Sequence, residues 1–145
     1  MRTTARSRRG IALILFAAGV ALAAESTPFT SIAKLATALS GSDAGGALDY
    51  FDSHMQGYGE IEQKIEALTA QADISCAIDV VTDVEAGGVH KLDLDWLMTL
   101  KPSYADAAKS ERRRERVQVE MRQIKGVWKI DAITPLKIFD SVRVH

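Results

Sequence analysis

The residues from Ile74 to Ile133 constrain the fold more than any other part of this sequence, because apolar side chains recur there at every second position. Four segments show this alternation, and the pairs Gly87-Gly88 and Lys125-Gly126 mark two reversals between them. A period of two places neighbouring side chains on opposite faces of a strand. The pattern therefore predicts two successive β-hairpins with one buried face and one solvated face. The positions predicted to be buried are Ile74, Cys76, Ile78, Val80, Val84, Leu92, Leu94, Trp96, Met98, Leu100, Val117, Val119, Met121, Trp128 and Ile130.

The sequence before the hairpins predicts three helices. The first begins at Pro28 and shows apolar residues at three- and four-residue steps. The second is short, over 44–52, with Asp43 as its N-cap, and the third runs from Tyr58 to Gln71. The predicted fold class is α+β, with three N-terminal helices packed on a strongly curved four-stranded antiparallel sheet, a cone-shaped arrangement.

Residues 1–24 have the three parts of a cleavable signal peptide: an arginine-rich start, an apolar run too short for a membrane span, and small residues at the end. The remaining residues, 25–145, are predicted to form a single domain with no stable membrane span after leader removal. The expected location is outside the cytoplasm, either periplasmic or secreted. Arg8-Arg9 also resembles a twin-arginine signal, and the sequence leaves open which export route applies.

Residues 25–145 contain 14 basic and 19 acidic residues, a net charge of −5. An acidic domain argues against general nucleic-acid binding, because neutralising phosphates dominates that affinity. Cys76 is the single cysteine, so the chain cannot form an internal disulfide. Its place in the apolar alternation predicts a buried structural thiol.

Several segments resemble the nuclear-transport-factor-2-like superfamily, in particular its polyketide-cyclase and ketosteroid-isomerase branch. They are Gly41-Ser42-Asp43-Ala44, the stretch Ala47–Asp52 with its phenylalanine-aspartate pair, the glycine of Gly57–Ile61, and the last hairpin at Gly126–Ile130. The resemblance covers Phe29 to Asp140. It implies a pocket between the curved sheet and the helices, which serves catalysis in some members and only binding in many others. It also implies a homodimer through the outer face of the sheet.

The candidate catalytic residues are His54, as a base or hydrogen-bond donor, and Asp52, as the group that orients it. The alternative is that Asp52 caps a helix and His54 is a surface residue. His90 follows a glycine turn and is expected to be solvent-exposed. The three dispersed histidines and the one thiol predict neither a metal site nor a cofactor.

A second set of residues could line a pocket for a small apolar ligand. At alternating strand positions, aromatic residues and methionines also fit an ordinary core. The candidate ligand-binding residues are Tyr50, Tyr58, Trp96, Met98, Met121 and Trp128.

The run Arg112–Arg116 is the strongest local charge feature. On a strand, Arg112, Arg114 and Arg116 share one face, and pairing with the strand that holds Asp93 and Asp95 would produce cross-strand ion pairs. The alternative is an anion-binding stripe for phospholipid, lipopolysaccharide or an acidic partner.

The sequence therefore supports an exported domain that binds a small molecule or a partner without catalysis. The alternative function is an isomerase, dehydratase or cyclase acting on a small apolar substrate in the cone cavity, and it requires His54 to face that cavity.

Overall fold

Three helices lie over one face of a four-stranded antiparallel sheet, as the sequence patterns predict. The computed structural model describes residues 26–103 and 109–143. The predicted leader at 1–24 lies outside these ranges, so it stays a prediction. No helix of the described ranges is both long enough and apolar enough to cross a membrane.

The helices begin and end where local chemistry requires. Helix α1, Pro28–Ser40, has a capping box in which Thr27 Oγ1 accepts a hydrogen bond from the Thr30 backbone N–H at 3.1 Å. Helix α2, Ala44–Leu48, is capped by Asp43, and helix α3, Tyr58–Gln71, follows Gly57 with its positive φ of 85°. Only the prediction for α2 is too long, since it extended the helix to residue 52. The backbone of residues 50–52 pairs with Ile130 instead, with two hydrogen bonds of 2.8 Å.

The two hairpins form a sheet with strand order β1-β2-β3-β4. The strands are β1 at Ala72–Ala86, β2 at Val89–Pro102, β3 at Glu111–Ile124 and β4 at Val127–Thr134. Register shifts leave one unpaired residue in each edge strand, Val81 in β1 and Asp131 in β4. Such β-bulges bend a strand and redirect the side chains that follow.

The bulge at Val81 corrects one prediction. Beyond it, Asp83 pairs with the buried Leu92, while Val84 pairs with Lys91 on the opposite face. Val84 is therefore exposed rather than buried. A strict period of two cannot foresee an extra residue, which moves every later side chain to the other face.

The inner face of the sheet, which faces the helices, is filled with side chains. Trp96, Met98 and Met121 are fully buried there. The C-terminal 3₁₀ turn, Lys137–Phe139, closes the interior, because the Phe139 ring lies edge-on to Trp96 with 5.3 Å between centroids. Apolar side chains from all three helices complete the core: Ile32, Leu35, Leu39, Ala47, Leu48, Ile61, Ile65 and Leu68.

One buried arginine fastens the C-terminal segment to the sheet. The Arg113 guanidinium donates hydrogen bonds to the backbone carbonyls of Ile138, Asp140 and Ser141 at 2.9, 2.5 and 2.8 Å. Its Nε also donates to the Glu111 carboxylate at 2.8 Å. The charge and the fork geometry of a single side chain thus hold residues 138–141 over the core.

Cys76 packs against the core but is only half-buried, whereas the sequence predicts a buried thiol. Its backbone N–H donates to Ser40 Oγ at 3.0 Å, which covers this part of the β1 edge. Burial raises the pKa of the Cys76 thiol to about 12, and the nearby Trp96 side chain opposes this only partly.

This pKa predicts a loss of stability at high pH. The unfolded thiol ionises near pH 9 and the folded thiol near 12, so the folded state retains a proton that the unfolded state loses. The stabilisation is complete below pH 9 and falls between pH 9 and 12 at up to about 1.4 kcal/mol per pH unit. Urea unfolding of wild type and Cys76→Ala from about pH 8 to 11 measures it. The difference in free energy of unfolding between the two proteins should shift steadily above pH 9, and a constant difference would contradict the prediction.

Candidate functional site

A cavity opens at the end of the sheet where the β3–β4 turn meets α1. Its volume is about 400 Å³. The N-terminal half of α1 forms one wall and the turn forms another. We call it the mouth cavity, and it is lined by Ser26, Thr30, Ser31, Lys34, Tyr50, Gly126 and Val127.

The mouth cavity is rich in hydrogen-bond donors. Lys34 Nζ makes no ion pair with any residue of the described ranges. The hydroxyls of Ser31 and Tyr50 likewise have no hydrogen-bond partner there, although Ser31 is buried. Val127 adds an apolar surface. A cation beside free hydroxyls and an apolar wall suits a ligand that has an anionic or acceptor group and a hydrocarbon part.

The residues predicted to bind a ligand do not come together in one pocket. Tyr50 lines the mouth cavity, while Trp96, Met98 and Met121 are fully buried core residues. Their apolar pattern reflects packing, because Phe139 and the helices occupy the space that an internal ligand would need.

Tyr58 and Trp128 are half-buried at the border of the core. Tyr58 starts α3, where burial and then the carboxylates of Glu62, Asp49 and Glu66 raise the pKa of its phenol. Trp128 contacts His90, as described below. Neither residue lines the mouth cavity.

The structure places His54 in solvent. Its side chain is 93% exposed, and its Nδ1 lies 3.6 Å from the nearest Asp52 oxygen. The same Asp52 oxygen accepts the His54 backbone N–H at 2.9 Å, so Asp52 closes a local turn. The enzyme hypothesis required His54 to face a cavity, and this geometry gives no support to a catalytic role for the pair.

His90, unlike His54, is held in place by contacts with other side chains. His90 Nδ1 lies 2.7 Å from Asp83 Oδ1, and the two side chains are only 17% and 22% exposed. The His90 ring also meets the Trp128 indole edge-on, with 4.8 Å between centroids. The expectation that His90 is solvent-exposed was therefore wrong, since the residue pairs with the buried Met121 on the inner face.

Sequence reasoning missed this cluster for an identifiable reason. The bulge at Val81 turns Asp83 inward, and without the bulge Asp83 would share the outer face with Asp93 and Asp95. The alternation of inward-facing residues on β2 continues from Leu92 to His90. This position was the available sequence signal that His90 faces the interior.

A second, larger cavity of about 580 Å³ lies on the outer face of the sheet, between the two bulges. Its polar walls come from Thr82, Lys91, Asp93, Gln118 and Glu120. None of the predicted site residues lines it. Within 26–103 and 109–143, no three histidine, cysteine or carboxylate side chains gather closely enough to hold a metal ion.

The predicted cross-strand ion pairs are confirmed on the outer face. Arg114 Nη2 lies 2.7 Å from Asp95 Oδ2, and Arg116 Nη1 lies 3.0 Å from Asp93 Oδ2. The hydrogen bond from Arg114 holds the pKa of Asp95 below its ordinary value. Because these groups are solvated, the pairs stabilise the sheet only slightly.

Comparison with known proteins places this geometry in a recognised fold. No family model matches the sequence, and no curated protein is significantly similar to it. A conserved protein from Planctomyces limnophilus superposes with a TM-score of 0.65 at 10% identity, over 72% of this chain and 88% of that one. Aln2 from a Streptomyces species gives 0.59 at 16% identity, over 76% and 91%.

A nuclear transport factor 2 (NTF2-like) superfamily protein from Salmonella enterica serovar Typhimurium gives a TM-score of 0.58 at 12% identity, over 72% of this chain and 83% of that one. Identities this low establish the fold and no shared activity. The helices on a curved, unclosed antiparallel sheet and these structural matches together identify the chain as a protein of the NTF2-like fold.

Proposed function

We propose that this chain is an exported binding protein that holds a small amphipathic molecule in the mouth cavity, without catalysis. The observation behind the proposal is the convergence of Lys34, Ser31 and Tyr50 on a space of about 400 Å³. That volume lies within the usual range for small-molecule sites. Export rests on the leader pattern of residues 1–24.

The ligand class follows from the donors and from the filled interior. A carboxylate or similar oxyanion would accept hydrogen bonds from Lys34 Nζ and the two hydroxyls, while its hydrocarbon part would lie against Val127. A purely apolar ligand would leave these donors without partners, at a cost in free energy. The sequence alone favoured an apolar ligand; the cavity favours one with a polar head.

Octanoate is a suitable probe, because it combines a carboxylate with a short hydrocarbon chain. We expect backbone amide chemical shifts to move at Ser31, Lys34 and Val127 during a titration. Lys34→Gln should weaken the affinity at least about tenfold, since it removes a charge-assisted hydrogen bond. Lys101→Gln is the matched control, because it removes the same charge from an exposed position of β2 that does not line the cavity. Equal binding by both variants would contradict the proposal.

One observation favours a second function, general base catalysis. Asp83 can fix the Nδ1–H tautomer of His90, which leaves the other ring nitrogen free to take a proton from a small carbonyl substrate beside Trp128. We expect any turnover of an enolisable ketone to be lost in His90→Asn and kept in His54→Asn. Wild type that turns over no member of a ketone panel, or His90→Asn that retains full activity, would exclude this function.

A further inference from the structure

The outer face of the sheet presents a row of exposed arginines that neither function uses. Arg112, Arg114 and Arg116 occupy alternate positions of β3 and point away from the helices. Alternate residues of a strand are about 6.6–6.8 Å apart. We call these three side chains the basic ridge.

The arginines of the basic ridge lie above the carboxylates that they contact. Arg114 and Arg116 are 72% and 57% exposed, whereas Asp95 and Asp93 are each 24% exposed. Arg112 stands opposite Thr99 and has no ion pair within the described ranges. In these ion pairs the guanidinium groups are therefore more accessible to solvent, and to a partner, than the carboxylates.

Each guanidinium has N–H groups left for a partner. Arg114 uses Nε and Nη2 to hold Asp95, and Arg116 uses Nη1 to hold Asp93. A guanidinium has five N–H donors, so both retain free donors directed at solvent. These donors match the two oxygens of a carboxylate.

The geometry points to an extended acidic peptide segment of a partner protein as the occupant of the basic ridge. In an extended chain, alternate side chains repeat at the same spacing of about 6.6–6.8 Å as the ridge arginines. Carboxylates at three alternate positions would each stand opposite one guanidinium. The C-terminal segment contacts β3 through the inward-facing Arg113 and Glu115, so it leaves the outer-face guanidinium groups exposed.

Charge distribution favours a peptide over an anionic membrane. Residues 25–145 have a net charge of −5, so a broad anionic surface would also meet the acidic remainder of the domain. A narrow segment would contact the ridge and its two paired aspartates but few of the other acidic residues.

The test uses a ten-residue peptide with glutamate at every second position and threonine between, against an isomer with its glutamates in one block. We expect the alternating peptide to bind wild type more tightly at about 20 mM salt, and to weaken steeply with salt. Arg112→Gln should weaken binding about two- to fivefold, and the triple variant of all three ridge arginines to glutamine at least about tenfold. Lys125→Asn should bind like wild type.

Arg112→Gln keeps the test decisive if the triple variant unfolds, since Arg112 balances no neighbouring carboxylate of the described ranges. Equal binding of the two peptides, or unchanged affinity in Arg112→Gln, would overturn the inference. Binding to phosphatidylglycerol vesicles without binding to the alternating peptide would also overturn it and would assign the ridge to lipid.

Discussion

Replacing Arg113 with alanine is expected to lower the free energy of unfolding by about 3–5 kcal/mol, because it removes one partner of a buried ion pair. Three backbone carbonyls of the C-terminal segment and the Glu111 carboxylate would lose the donor that satisfies them. Urea unfolding followed by circular dichroism measures the change.

Arg114→Ala is the matched control, since it removes the neighbouring arginine from a solvated ion pair. Its effect on the free energy of unfolding should be small beside that of Arg113→Ala. The loss of stability in Arg113→Lys should lie between those of the two alanine variants, because lysine keeps the positive charge but lacks the forked guanidinium donors. If Arg113→Ala costs no more than Arg114→Ala, the C-terminal segment is not held as described.

The same contacts determine an acid response. Burial raises the pKa of Glu111, but hydrogen bonds from the Arg113 side chain and the Arg143 backbone N–H outweigh it and hold the pKa below its ordinary value. The stabilisation is therefore present above the unfolded-state pKa and is lost as the pH falls through the folded-state pKa. In Arg113→Ala the contribution of Glu111 to the free energy of unfolding should be smaller, so less stability should be lost on acidification.

The second large effect that we expect is for Trp96→Ala. It should lower the free energy of unfolding by about 3–5 kcal/mol, as for other buried tryptophans. Trp96 is fully buried and meets the Phe139 ring edge-on. Had Trp96 lined a ligand pocket, its truncation would change ligand affinity more than stability. Thermal unfolding of the ligand-free protein distinguishes a core role from a pocket-lining role, because only a core role predicts a large loss of stability.

Trp128→Ala provides the comparison for Trp96. Trp128 is only half-buried, so its truncation should cost clearly less. Equal losses for the two tryptophans would contradict the assignment of Trp96 to the core and Trp128 to its border.

Local patterns predicted most of the fold. The starts of α1 and α3 follow from Pro28 and Gly57, and both hairpins follow from the alternation and the turn glycines. The pairing of Asp93 and Asp95 with arginines on β3 needed only the assumption that β2 and β3 are neighbours. These features depend on short-range chemistry that the sequence displays directly.

The candidate site was harder to predict, because it depends on contacts between distant residues. The β-bulge that turns Asp83 toward His90 has no distinctive sequence signal. Phe139 fills the interior from a distant part of the chain, so Trp96, Met98 and Met121, which were predicted to line a pocket, are packed in the core. The role of Arg113 was likewise hidden within a run of exposed arginines.

The location of the ligand can be tested directly by native mass spectrometry of wild type and Lys34→Gln, each purified from an exporting cell and analysed before and after denaturation. Our account predicts that wild type releases a stoichiometric small molecule with an acidic head group, and that Lys34→Gln has lost most of it. Wild-type protein without a bound molecule, or a Lys34→Gln variant that retains it fully, would contradict binding at the mouth cavity.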